Sequence, residues 1–273
     1  MADDIGGRDA SIKVESNVPV IQERAMYRND RREGHESICT TSPARDYYLA
    51  EGATGYSVGY ITYVLVQNPQ DSPTDVTITY MTGSGQVAGP AFPMPANSRK
   101  TIMVNDQLGL NTDVSTHVHG SRPIIAERAM YWNNGTGEAC HDSIGPASPH
   151  TAFYLTDGWA AGWYETWTLV QNPNNVDVSV EISYLPPYHK IIPGPAPLPP
   201  GMVVFTATVP ANSRRTFNMA DRVKVDSLFP DQDYYKYAIV VKCKTPGKKI
   251  MCERAMYWNN RGAGTDTIGG YSD

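Results

Sequence analysis

The segment ERAMYRN at residues 23–29 recurs as ERAMYWNN at residues 127–134 and again at residues 253–260. Three near-identical copies within 273 residues identify a repeat protein. In each copy an adjacent glutamate and arginine precede an alanine, a methionine and a tyrosine. The organisation of the whole chain follows from the spacing of these copies.

Other motifs recur once each between the copies, and they keep the same order. They are YYLAEG and FYLTDG at residues 47–52 and 153–158, LVQNP at 65–69 and 169–173, and PANSR at 95–99 and 210–214. Residues 177–184 alternate strictly between polar and apolar, which predicts a half-buried strand. About seven short strands over roughly a hundred residues predict an all-β fold of tandem Ig-like antiparallel sandwiches, with a closed barrel as the alternative.

The motif order divides the chain into four parts. We expect the C-terminal part of an incomplete repeat at 1–34, β-sandwiches at 45–137 and 151–262, and a linker or tail at 263–273. Residues 1–5 align with residues 219–223 inside the second repeat, so the chain is predicted to be a fragment of a longer protein. An insertion at 224–236 distinguishes the second unit from the first.

The ERAM segments are predicted to be the return strands of β-hairpins. The first is an orphan hairpin at residues 10–29, and the others span 114–132 and 237–258, with turns near Gly120 and Gly247. A polar segment at 30–44 is interpreted as a linker. The unpaired edges of the orphan hairpin predict pairing with a second molecule or with the first complete unit.

The third hairpin also predicts a disulfide. A turn centred on Gly247 and Lys248 places Cys243 opposite Cys252, within reach of a bond that would fix the register. Cys39 and Cys140 are expected not to bond to each other. Four cysteines are compatible with an oxidising compartment.

Composition narrows the classes of function. The net charge of −5 argues against a general affinity for nucleic acid. No apolar run is long enough for a transmembrane segment. The chain has no GxSxG elbow or glycine-rich phosphate loop, and we expect no cofactor.

The Glu-Arg pairs are the most prominent polar motif, and we interpret them as structural rather than catalytic. They are Glu23 with Arg24, Glu127 with Arg128, and Glu253 with Arg254. Alternate positions of a strand point to opposite faces, so each pair should separate and bind across strands. The alternative is an acid–base pair in which the glutamate works with Glu51 or Asp157. A duplicated motif favours a structural role, and no catalytic residue is assigned.

Two further groups of side chains are candidates for binding. His35 and His141 lie beside carboxylates, but they lack a second histidine at ligand spacing, so a local hydrogen bond is expected and no metal. Trp159 and Trp163, with Tyr56 and Tyr60 in the equivalent loop, are candidates for stacking on a carbohydrate. The competing interpretation is that these rings pack between units.

The order YLAEG, LVQNP, PANSRKT, ERAMYW and HDSIG resembles a tandem repeat of large bacterial extracellular and cell-surface proteins. The resemblance covers nearly the whole chain and implies a secreted or wall-associated β-sandwich array without an established activity. We therefore expect a structural or adhesive module, not an enzyme, whose partners are neighbouring repeats or copies of itself. A carbohydrate-binding module that recruits a polysaccharide or the cell wall is the alternative.

Overall fold

The computed structural model describes residues 6–135, 138–187, 201–223 and 235–273, and this part of the chain is all-β. A hairpin is formed by β1 (Glu23–Arg28) and β2 (Glu33–Ile38). The first unit contains β3 (Ala44–Leu49), β4 (Ala53–Thr54), β5 (Ile61–Asn68), β6 (Thr74–Thr82), β7 (Gly85–Met94), β8 (Ser98–Met103), β9 (Thr112–Asn133) and β10 (Glu138–Ile144). The second contains β11 (Ala152–Leu155), β12 (Glu165–Asn172), β13 (Val178–Leu185), β14 (Val203–Val209), β15 (Ser213–Asn218), β16 (Ala238–Cys243), β17 (Met251–Trp258), β18 (Ala263–Thr267) and β19 (Gly270–Ser272).

Alternating strands enclose the core of each unit, as β13 illustrates. Val178, Val180, Ile182 and Tyr184 are fully buried, while the residues between them are exposed or half-buried. Burying each such side chain stabilises the fold by about 1.5–3 kcal/mol. The prediction of an all-β antiparallel sandwich is therefore confirmed.

Strand β9 corrects the predicted hairpin of the first unit. Residues 112–133 form one strand of 22 residues, which pairs with β3 and β6 in its first half and with β5 and β10 in its second. Opposite β9, the register of β3 shifts between Ala44 and Asp46, which face Ile124 and His119. The Gly-Ser segment near Gly120 therefore marks a bulge where the chain crosses from one layer of the sandwich to the other, not a turn.

The second unit makes the same crossing with two strands. Strand β16 belongs to the sheet β14-β13-β16-β11-β19, and β17 belongs to the sheet β15-β12-β17-β18. Cys243 lies opposite Val180 and Cys252 lies opposite Val170, so the two cysteines do not face each other in a hairpin. All four cysteines are free thiols, and the predicted disulfide is not formed.

The hairpins that contain the ERAM segments close after the motif rather than before it. Strands β1 and β2, β9 and β10, and β17 and β18 pair antiparallel, so the predicted linker at 30–44 and tail at 263–273 contain strands. Residues 11–22 of the expected orphan hairpin form no strand. Asn29 and Asn259 begin runs of positive φ that reverse the chain, a conformation that asparagine tolerates better than most residues.

Each unit pairs its strands internally. Among the described residues, β3–β10 form ladders only with one another, as do β11–β19. The insertion at 224–236 lies outside the described residues except for its last two positions. The two units meet through side chains, and this contact contains the recurring motifs.

Candidate functional site

Each ERAM strand forms a hairpin with the next strand, in the region of HESIC at 35–39, HDSIG at 141–145 or TDTIG at 265–269. Each of these hairpins has two faces with different chemistry. In the middle hairpin, Arg128 and His141 lie on one face, and Glu127, Tyr131 and Asp142 lie on the other. We call the first the donor face and the second the receiving face. Strand periodicity produces this separation, since adjacent residues point to opposite sides.

The donor face of the first hairpin contacts the receiving face of the middle one. The Arg24 guanidinium binds Glu127, at 2.5 Å, and Asp142. His35 Nδ1 lies 2.8 Å from Asp142 Oδ2, and His35 Nε2 lies 3.1 Å from the Tyr131 hydroxyl. Both carboxylates of the receiving face are therefore held by residues of the preceding hairpin.

The donor face of the middle hairpin repeats these contacts on the last one. Arg128, which is fully buried, binds Asp266 and lies 3.5 Å from Glu253 Oε2. His141 Nε2 lies 3.3 Å from the Tyr257 hydroxyl. The same two contacts thus join consecutive hairpins twice. In each case an arginine binds a Glu–Asp pair, and a histidine lies within hydrogen-bond distance of a tyrosine hydroxyl.

Electrostatics determines the protonation of His141. Burial, with Arg128 as the next cause, holds the pKa of His141 well below its usual range, so the ring is neutral at neutral pH. Its Nδ1 accepts from Arg128 Nη1 at 2.7 Å, which leaves the proton on Nε2 to be donated to Tyr257. Tyr257 in turn donates to Glu51 Oε1 at 3.2 Å. These hydrogen bonds run from His141 in the first unit to Tyr257 in the second and back to Glu51 in the first.

Burial affects the pKa values of the acidic and basic groups in these contacts differently. Burial and then the neighbouring Asp142 raise the pKa of Glu127 to about 8, although Arg24 opposes the rise. Burial alone would lower the pKa of Arg128, but Asp266 and then Glu253 outweigh it and raise the pKa. The arginine is therefore permanently charged, and Glu127 is the titratable member of the first contact.

Backbone groups complete the contact between the units. Glu253 accepts from the amides of Ala50 and Glu51 at 3.1 and 3.0 Å, which brings it beside Glu51. Arg214, which is 2% exposed, donates to the carbonyls of Gly52 and Val114 at 2.8 and 2.9 Å. Around these bonds lies an apolar cluster that includes Tyr60, Met130, Trp132, Leu169, Ala255 and Tyr257.

A cavity of about 170 Å³ lies beside this contact. Its lining brings together Glu51, whose pKa is raised by burial, and Asp113. Asp113 accepts from the hydroxyls of Tyr56 and Thr216, both at 3.1 Å, so it bridges the two units. The carboxylates of the cavity thus take part in bonds that join the units.

The predicted aromatic candidates occupy different environments. Tyr60 is 4% exposed and packs between the units, while Tyr56 is 41% exposed. Trp163 is 78% exposed. Trp159 is half-buried, with its Nε1 donating to Asp157 and the Lys236 ammonium 4.1 Å above its ring. The structure does not bring the four rings into one platform.

Sequence reasoning assigned the Glu-Arg pairs a structural role but missed their partners. Arg214 was missed entirely, although it lies in the PANSR motif that recurs at 95–99. His35 and His141 were expected to make local bonds, whereas each binds the next hairpin. The signal for these partners was the recurrence of a related segment after each ERAM motif, HESIC at 35–39, HDSIG at 141–145 and TDTIG at 265–269.

Arg254 ends the series differently from the two earlier arginines. It is 6% exposed, and its Nε and Nη1 have no hydrogen-bond partner among the described residues.

Within the described part of the chain, no group of three or more His, Cys, Asp or Glu side chains is placed to hold a metal. The ranges that the structure covers also contain no helix long and apolar enough to cross a membrane.

Comparison with known proteins gives no family. No family model and no curated protein matches the chain. Among solved structures, Thermotoga maritima 1070 is 13% identical, with a TM-score of 0.36, and the alignment covers 39% of this chain and 96% of that one. The Anabaena sensory rhodopsin transducer is 23% identical, with a TM-score of 0.29, and the alignment covers 33% of this chain and 99% of that one.

Proposed function

We propose that this chain is a non-catalytic structural or adhesive repeat module of a larger extracellular or cell-surface protein. The observation that supports a structural role is the repeated use of the same polar residues to join consecutive hairpins. Catalysis requires groups that can reach a substrate, whereas Arg128, His141 and Asp266 are buried between repeats. The extracellular location is supported by the resemblance of the motif order to bacterial surface repeats.

A structural module needs rigidity, and the contact between the units restricts their relative movement. The orientation of one unit on the next is fixed by three features. Arg128 is buried, both carboxylate oxygens of Glu253 accept hydrogen bonds from backbone amides, and an apolar cluster surrounds these bonds. A buried charge that loses its partner is costly, so alternative orientations of the units are strongly disfavoured. We therefore expect the chain to behave in solution as one stiff body.

Small-angle X-ray scattering tests this expectation. The wild-type curve, extrapolated to zero protein concentration, should match the present arrangement of the units, and Arg128→Met should give a larger radius of gyration with a distribution of orientations. Arg122→Met, at an exposed position, is the control and should leave the curve unchanged. Freely moving units in the wild-type protein would reject the structural proposal.

Binding of a polysaccharide is the second candidate, and the exposure of Trp163 favours it. A tryptophan that is 78% exposed offers a flat apolar surface to a sugar ring. A glycan array should then give a ligand whose binding is lost in Trp163→Ala and kept in Tyr154→Ala, which removes a ring that is 41% exposed. An array without ligands, or equal binding by both variants, would reject this candidate.

A further inference from the structure

The donor face of the last hairpin is incomplete. Arg254 occupies the position of Arg24 and Arg128, both of which bind a Glu–Asp pair. The residue is 6% exposed, yet its Nε and Nη1 have no hydrogen-bond partner in the described part of the chain. Burial lowers the pKa of Arg254, while the charges of Asp157 and Asp266 oppose this shift. Neither carboxylate is hydrogen-bonded to these two nitrogens, so the position is suited to receive a further carboxylate.

The receiving face of the first hairpin has carboxylates but, among the described residues, no arginine bound to them. Glu23 and Glu36 stand where the middle hairpin has Glu127 and Asp142, and both are exposed. Tyr27 stands where Tyr131 contacts a histidine, and it is 63% exposed. Opposite Glu23, Ile38 is 65% exposed. This face therefore presents two carboxylates and two large apolar side chains to solvent.

We propose that these two faces bind each other between copies of this chain, so that the last hairpin of one copy docks on the first hairpin of a second. The inference rests on the proposed function, since it extends the contact between repeats to a contact between molecules. In this contact Arg254 binds Glu23 and Glu36 of the second copy, as Arg24 binds Glu127 and Asp142. Charge complementarity identifies the occupant, because the same chain carries the cation at one end and the carboxylates at the other.

The backbone near Arg254 fits the same occupant. In the first unit, the amides of Ala50 and Glu51 hold Glu253 of the next hairpin. Their equivalents in the second unit are Thr156, which is exposed, and Asp157, which is half-exposed. In the docked pair these two amides hold the Glu23 carboxylate of the second copy.

One difference makes the contact between molecules weaker than the contact within the chain. Thr265 replaces the histidine of the two earlier hairpins, so the bond from His35 to Tyr131 has no counterpart at Tyr27. The contact is also heterologous, because each copy uses a different face. Such contacts extend into open linear assemblies unless the rotation closes a ring.

Sedimentation velocity on the full chain over a range of concentrations tests the proposal. The wild-type protein should form a concentration-dependent series of oligomers. Arg254→Ala, which lacks the donor face, and Glu23→Lys/Glu36→Lys, which lacks the receiving face, should each remain monomeric. The control Asp75→Lys/Asp106→Lys makes the same charge change at two exposed positions elsewhere and should assemble like the wild type.

Mixing the two monomeric variants is the decisive arm, since each keeps the face that the other lacks. The mixture should form a dimer and nothing larger, which also shows that both variants are folded. A mixture that stays monomeric, or a single variant that still assembles, would overturn the proposal. If the wild-type chain is monomeric but Arg128→Met loosens the units in scattering, the contact between copies is wrong and the proposed function stands.

Discussion

Replacing Arg128 with methionine removes the charge at the centre of the contact between the units. The arginine is fully buried and holds Asp266, Glu253 and the ring of His141. Methionine fills much of the same space, so the cost comes mainly from the carboxylates left without a cation. Removing one partner of a buried ion pair costs about 3–5 kcal/mol. Protonation of a carboxyl at low pH should reduce this loss, so the variant should become less stable, relative to the wild type, as the pH rises.

Urea unfolding followed by tryptophan fluorescence measures this loss. Trp132 reports on the contact because its ring lies 5.1 Å from His141 and 5.4 Å from Tyr257. Arg122→Met at an exposed position should change the free energy of unfolding by less than about 0.5 kcal/mol. Arg128→Met/Asp266→Asn should recover part of the loss, because it removes the anion with the cation. A loss below about 1 kcal/mol, or no recovery in the double variant, would show that the Arg128 charge does not stabilise the contact between the units.

Two further predictions concern pH and a close packing contact. Because folding raises the pKa of Glu127 to about 8, its stabilising effect is complete below its ordinary pKa and is lost as the pH rises through about 8. The protection factors of the β1 and β2 amides, which correct for the base-catalysed intrinsic exchange rate, should therefore fall above pH 8. Glu127→Gln, which stays neutral beside Asp142, should weaken this dependence. Gly145→Ala should destabilise the first unit by more than about 1 kcal/mol, since its Cβ would lie 2.5 Å from the Tyr48 carbonyl oxygen. Gly109→Ala, with open space at its Cβ, is the matched control; equal stability of the two variants would contradict the packing argument.

The strands were predictable because their signal is local. The alternation at 177–184 specifies which side chains enter the core, and the structure buries those of Val178 to Tyr184. The pairing of strands was not predictable from the turn residues. Gly120 forms a bulge in β9, whereas Asn29 starts a run of positive φ that closes a hairpin. Both residue types are typical of turns, so sequence alone could not distinguish the two geometries.

The site shows the same division between local and non-local information. Strand periodicity predicts that Glu127 and Arg128 point apart, and the structure places them toward Arg24 and Asp266. Which partner each would find depends on how the hairpins stack, and stacking joins residues more than a hundred positions apart. The burial of His141 depends on the same stacking, so its neutral state could not be read from its neighbours in sequence.

The buried contacts should couple the two units into one cooperative body. Scanning calorimetry of the wild-type chain at neutral pH measures this coupling most directly. We expect a single transition whose calorimetric and van't Hoff enthalpies agree, and its separation into two transitions in Arg128→Met. Two independent transitions in the wild-type protein, unchanged by Arg128→Met, would contradict it.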